Sequence, residues 1–348
     1  MAVSVAPANF LVDPFELRKA GTVLLTAVAM IEASHAARAG RPVAFIFGQA
    51  TLAPIVADLI ALANACGHSA ANYEACEANL TPSFMRKFES LEPALAKALA
   101  SVALQVDTAI GGGETAVAIN KAGSSNSKFP TGTQDLLAKL GQASAAQEIL
   151  IETGTSVTGR QFILYLPGTQ NWQPVSNGKV FDLTSDLAAM AAPGTSGPER
   201  AAVMALRDSG FGQQPNDKLV IAGYSEGGLI GANLIATGAI TGLGGHVSGL
   251  ISIGSPISSV KLPASVKVVS IEHVNDPVPK LDLANRADTP SWHTVLLPPV
   301  DFPGHSLASY RASLGNPQAA SSKFISEKLS SWLEPGVAKL QEFQPRRT

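Results

Sequence analysis

The sequence predicts an α/β fold, a mostly parallel sheet with helices on both faces, preceded by an all-helical N-terminal region. Three observations carry this. Beyond about residue 147, apolar runs of strand length such as Leu219-Val220-Ile221-Ala222 alternate with stretches whose apolar residues recur at helical spacing. The first third is instead rich in alanine, with apolar stripes at three- and four-residue intervals. Between them lies a Gly- and Ser-rich stretch.

Composition bounds the function. With 46% hydrophobic and 15% charged residues among 348, the chain buries a core, and its length suggests about two domains. A formal net charge of -2 and the absence of any basic run argue against a nucleic-acid partner. The start, MAVSVAPANFLVDP, has neither a cationic opening nor an apolar core before a small-residue cleavage site, so no conventional secretory signal is expected. Residues 227–260 are uncharged, but glycines interrupt them and they contain a helix and a strand, so no transmembrane segment is expected. Cys66 and Cys76 read as small buried thiols or, in an exported protein, as a local disulfide; only His68 lies near them, and no metal or other cofactor is expected.

Taken in order, Asp13-Pro14-Phe15-Glu16 is a helix start, with a capping residue, a first-turn proline and a capping-box acid. Leu17, Leu24, Val28 and Ile31 mark its apolar face, and Gly40 with Pro42 ends it. Two further helices are expected over about 52–80 and 82–110, on the stripes Ile55, Leu59, Leu62 and Phe84, Phe88, Leu91, Leu95, Leu99. Gly111-Gly112-Gly113 and Ala122-Gly123-Ser124-Ser125-Asn126-Ser127 read as a linker, dividing the chain into a helical domain, 1–120, and a catalytic domain, 121–348. In the second part, strands are expected over about 148–152, 161–166, 219–222, 247–253, 266–271 and 294–297. Helices are expected over 136–146, 183–190, 198–209, 229–236, 307–314 and 321–333.

The chemistry centres on Gly223-Tyr224-Ser225-Glu226-Gly227, a G-x-S-x-G pattern with a strand before it and a helix after it. That context makes it a nucleophile elbow. Ser225 stands on a sharp turn, and the glycines let strand and helix pass close together. The Glu226 N–H, at the helix N-terminus, is aimed to stabilise an oxyanion. A serine hydroxyl needs a base, and behind an elbow the partners follow in the order acid, then histidine. Four histidines lie in this half: His246, His273, His293 and His305. His305, in the loop after the last expected strand, is the candidate base and His293 its rival. Asp276, in the proline-stiffened loop His273-Val274-Asn275-Asp276-Pro277-Val278-Pro279, is the candidate acid, with Asp282 as the alternative. A second oxyanion donor is expected from Gly168-Thr169-Gln170, where the glycine permits close backbone approach and Thr169 or Gln170 offers an N–H. Trp172 lines the cleft or packs in the core.

On these motifs the chain from about residue 148 onward resembles the α/β-hydrolases of the lipase/esterase kind, and most closely the cutinase-like and PE-PPE serine hydrolases of actinobacteria. The resemblance rests on Gly223-Tyr224-Ser225-Glu226-Gly227, Asn275-Asp276-Pro277 and Gly304-His305. It implies an α/β-hydrolase fold and a Ser225–His305–Asp276 triad acting on a small-molecule or lipid ester. Glu226 stands where those families carry glutamine, so its carboxylate is expected to add negative charge near the site; the paired cysteines of true cutinases are missing from this part of the chain. More loosely, the N-terminal third resembles the helical hairpins of WXG- and PE-type export substrates, without their Trp-x-Gly turn. Tyr73-Glu74-Ala75-Cys76-Glu77 matches the Tyr-x-x-x-Asp/Glu pattern of type VII export. That resemblance implies a protein partner for the N-terminal helices and, as an alternative to the cytoplasm, a non-classical export route. Acyl transfer by the same triad, and a degenerate hydrolase fold kept for binding at the cell envelope, are the competing readings.

Overall fold

Neighbouring side chains of a strand point to opposite faces, so a run that is apolar at every position belongs in a sheet covered on both sides. The computed structural model, which describes residues 100, 114–171, 178–282, 284, 286–300 and 304–348, contains such a sheet. Its strands are β1 (Val117–Lys128), β2 (Ile149–Ser156), β3 (Gly159–Leu166), β4 (Lys218–Tyr224), β5 (His246–Ile253), β6 (Lys267–His273), β7 (Trp292–Leu297) and β8 (Val337–Arg347). They lie in the order β1-β8-β2-β3-β4-β5-β6-β7. From β3 to β7 every pair is parallel; β1, β8, β2 and β3 pair antiparallel.

Among the described residues, six α-helices cover the sheet: α1 (Thr133–Ala146), α2 (Leu183–Ala191), α3 (Gly197–Asp208), α4 (Glu226–Ala236), α5 (Leu307–Ser313) and α6 (Ala320–Trp332). The strand alternation sorts them. Phe162, Leu164 and Leu166 of β3, with Leu219 and Ile221 of β4, pack into one core with α2, α3 and α4. Ile163, Tyr165, Val220 and Ala222 face the other way, into a core with α1, α5 and α6. Among the described residues no helix is long and apolar enough to cross a membrane.

Two expectations need correction. The Gly/Ser-rich stretch 122–127 is not a linker: it lies within β1, paired with β8 from Val117 opposite Arg347 to Lys128 opposite Val337. An edge strand needs little apolar surface, and most β1 side chains are half-buried or exposed. The register shifts between Lys121 and Gly123, where a β-carbon on Gly123 would fall on the Glu342 side chain. The expected division at residue 120 therefore falls inside a strand. The second correction is that β8 follows the helix read as the closing element. Ala338, Leu340 and Phe343 are buried in the two cores, Ala338 and Leu340 on one face and Phe343 on the other. The three expected N-terminal helices, Cys66, Cys76, the Tyr73–Glu77 pattern and Gly111 to Gly113 lie outside the described residues, apart from Ala100, which is helical.

Because β8 sits between β1 and β2, and Phe343 is fully buried, Phe343→Ala is expected to lower stability by about 3–5 kcal/mol, measured by urea denaturation. A loss under about 1 kcal/mol would show that β8 adds little to the core.

Candidate active site

β4 ends at Tyr224 and α4 begins at Glu226, so the whole change of direction falls on Ser225. Its φ of 54° and ψ of -123° are a conformation that an L side chain rarely adopts. Two hydrogen bonds hold it there. The Ser225 N–H donates to the Ile253 carbonyl at 2.8 Å, and the Gly228 N–H donates to the Ser225 carbonyl at 3.1 Å. The flanking glycines are required for space. A β-carbon on Gly223 would collide with the Gly227 backbone, and one on Gly227 with the Leu166 and Pro167 carbonyls. Helix, strand and the β3 loop thus meet backbone to backbone.

Three of the expected residues come together. The Ser225 Oγ lies 2.8 Å from His305 Nε2, and His305 Nδ1 lies 2.8 and 3.1 Å from the two Asp276 oxygens. A carboxylate only accepts, so Nδ1 carries the proton and Nε2 presents its lone pair to the serine hydroxyl. Asp276 is 1% exposed and is satisfied on both oxygens, by the Val278 N–H at 2.9 Å and the Tyr310 hydroxyl at 2.6 Å. A buried charge needs such donors to persist. Burial, and then the Asp276 carboxylate, pushes the Tyr310 hydroxyl far above the ordinary tyrosine range, so it stays a donor.

Further side chains hold the loops, and sequence reasoning did not single them out. Tyr224, inside the motif, donates its hydroxyl to the His305 carbonyl and stacks on the imidazole at 5.4 Å between centroids. His273, read only as a neighbour of the acid, donates from Nδ1 to the Gly304 carbonyl at 2.9 Å, accepts from Ser313 at Nε2 and stacks on Tyr310. Tyr310 carried no readable signal. It lies five residues beyond the candidate base, in α5, and no spacing rule places it under Asp276.

The remaining candidates lie elsewhere. His293 is on β7, 3.7 Å from Asp288 and against Phe324. Asp282 accepts the N–H groups of Ser259 and Ala284 and so braces a loop. His246 is exposed at the start of β5. Trp172 lies outside the described residues. Among the described residues no three His, Cys, Asp or Glu side chains gather as they would around a metal ion. A cavity of about 710 Å³ beside the Asp276 loop is lined by His273, Val274, Lys280, Arg286 and Leu296, but by none of Ser225, Asp276 or His305.

The loop after β3 approaches the serine closely, since a β-carbon on Gly168 would lie 3.0 Å from that of Ser225. Gln170 does not offer the expected N–H, because it donates to the Phe181 carbonyl at 2.9 Å. The Thr169 N–H has no partner among the described residues. The Glu226 N–H opens the first turn of α4, where helix geometry provides none. The side chains of both residues are anchored. The Thr169 hydroxyl donates to Asp186 at 2.9 and 3.1 Å, and Glu226 Oε1 lies 2.5 Å from the Ser185 hydroxyl.

The surroundings of Glu226 work against the negative charge expected of it. The residue is 2% exposed, and burial, reinforced by Asp186, pushes its carboxyl well above the usual range and favours the neutral acid. Burial also raises Asp186, to about 8, against the lowering effect of the Thr169 bond. Compared with family models, curated proteins and solved structures, the chain matches none.

Gly223→Ala should cost about 1–3 kcal/mol or more, since the added carbon has only backbone to displace. Urea denaturation of the variant checks this, and an unchanged midpoint would mean that the strand–helix approach is looser than described.

Proposed function

We propose that the chain is a serine hydrolase of the α/β-hydrolase kind that cleaves carboxylic esters through an acyl-enzyme on Ser225. One observation carries the reading: a serine held at positive φ between a strand and a helix, hydrogen-bonded to a histidine that is bonded in turn to a buried carboxylate. The order Ser225, Asp276, His305 and the cutinase-like motifs support it further, and a small-molecule or lipid ester is the substrate class they imply.

In this mechanism the Ser225 Oγ attacks the ester carbonyl as its proton moves to His305 Nε2. Asp276 stays ionised, keeps the imidazole in the reactive tautomer and stabilises the imidazolium. The N–H groups of Glu226 and Thr169 stabilise the tetrahedral oxyanion. The imidazolium then returns its proton to the leaving alcohol, whose bond to the acyl carbon breaks. Water repeats the sequence, with His305 as its base, and releases the acid.

Ser225→Ala and His305→Ala should each lower kcat on a p-nitrophenyl ester by at least about 10⁴-fold, while circular dichroism stays native. His293→Ala should retain most activity, because its ring packs against Phe324 while His305 bonds Ser225. A fluorophosphonate should label the native protein and not Ser225→Ala. Near-native turnover by the serine variant would end the reading.

A further inference from the structure

The hydroxyl of Ser185, in the first turn of α2, meets three polar atoms. The Asp182 N–H donates to it at 2.8 Å, the Asp182 carbonyl lies 2.7 Å away, and Glu226 Oε1 lies 2.5 Å away. A hydroxyl has one proton. A carbonyl only accepts, and so does a carboxylate. With Glu226 ionised, Ser185 would face two acceptors with one proton, and one close contact would set lone pair against lone pair. With Glu226 neutral and its proton on Oε1, every contact has a donor: Glu226 gives to Ser185, and Ser185 gives to the Asp182 carbonyl. The other Glu226 oxygen is buried with no partner among the described residues, which suits the carbonyl oxygen of an acid better than a carboxylate.

The neighbour of Ser185 in the same turn, Asp186, takes the Thr169 hydroxyl on both oxygens. One turn of one helix therefore bonds the side chains of Thr169 and Glu226, the two candidate oxyanion donors. That turn is itself fixed. Ser185 N–H donates to Asp182 Oδ1 at 2.9 Å, and the Asp182 carboxylate takes Arg347 of β8 at 2.8 and 2.9 Å.

We propose that Glu226 is a positioning residue that works as a neutral carboxylic acid donating to Ser185, and that this bond, with Thr169 on Asp186, makes the first turn of α2 the mount for both oxyanion donors. Its catalytic part rests on the hydrolase reading; the protonation of Glu226 does not.

Among the described residues, four groups act on Glu226. Asp182, Ser185 and Asp186 come from α2, and Glu114 from the segment before β1. Arg347, the nearby cation, is committed to Asp182 and Glu114, and Glu114 is also held by Arg200 of α3. Burial, and then the neighbouring carboxyls, favour the neutral form, so Glu226 is protonated below its raised pKa and ionises as pH rises through it. Ionisation leaves Ser185 one proton short and puts a negative charge one residue from the nucleophile, so turnover falls at alkaline pH.

Infrared difference spectroscopy of the full chain in D₂O, native minus Glu226→Gln, tests the protonation directly. The carbonyl stretch of a protonated carboxylic acid should be present at neutral pH, disappear reversibly at alkaline pH, and shift in Ser185→Ala. Its absence at neutral pH would overturn the proposal whether or not the protein hydrolyses esters. On a p-nitrophenyl ester, native kcat should fall about tenfold per pH unit beyond the transition, with circular dichroism unchanged. Glu226→Gln, which donates at every pH, should lack that fall, and Ser185→Ala should lower kcat about tenfold with little change in KM. The same alkaline fall in Glu226→Gln would refute the positioning role. If Glu226→Gln does not fold, native minus Ser185→Ala decides by the same band. A native protein that neither turns over nor takes a fluorophosphonate, yet shows the band, would fail the hydrolase reading and leave the protonation standing.

Discussion

The candidate site depends on a close passage of backbone past backbone. β4, the start of α4 and the loop after β3 come together where Gly223, Gly227 and Gly168 have no side chains. Only that proximity lets Ser225 take a positive φ and stand clear of the sheet, with the Thr169 loop beside it. The strain at Ser225 is not relieved locally; it is imposed by the packing of β4 between β3 and β5 and by the burial of Leu229, Ile230 and Leu234 under the sheet. The hydrophobic cores and the geometry of the hydroxyl are thus one problem, and a defect in the first is felt in the second.

A second set of constraints converges on Asp276. Its carboxylate takes three donors, from three different segments: Val278 in its own loop, Tyr310 in α5 and His305 in the loop before α5. Gly254, at a φ of 62°, makes room, since a β-carbon there would lie 3.1 Å from both Asp276 Oδ2 and the Tyr310 hydroxyl. His273 and Tyr224 tie the loop carrying His305 to the sheet through the carbonyls of residues 304 and 305. The imidazole is fixed by its own bonds and by two aromatic side chains acting on the backbone beneath it.

Much of this was legible in the sequence, for identifiable reasons. β4 and α4 announce themselves because a fully apolar run and a helical stripe meet at a glycine-flanked turn, and the loops carrying Asp276 and His305 follow strands whose apolar runs are equally plain. β1 was not legible because an edge strand pairs by backbone, which leaves its side chains free to look like a linker. β8 was missed because Lys339, Glu342 and the polar residues after them mask an apolar pattern that switches faces part-way. The roles of Tyr310, Ser185 and Asp186 are products of tertiary contact. Nothing local tells a glutamate that will ionise in water from one, like Glu226, that will be sealed under a helix.

Arg347 has a consequence that concerns time rather than energy. It belongs to the strand laid between β1 and β2, and it anchors Asp182, about 165 residues earlier, on which the first turn of α2 is built. A growing chain can pair β3 with β4 and make the elbow long before this strand exists. It cannot close the gap between β1 and β2, or lock that turn, until residue 347 has emerged. Until then two strand edges stand open to the wrong partner. The candidate nucleophile can therefore form early, while the turn of α2 that bonds Thr169 and Glu226 waits for β8.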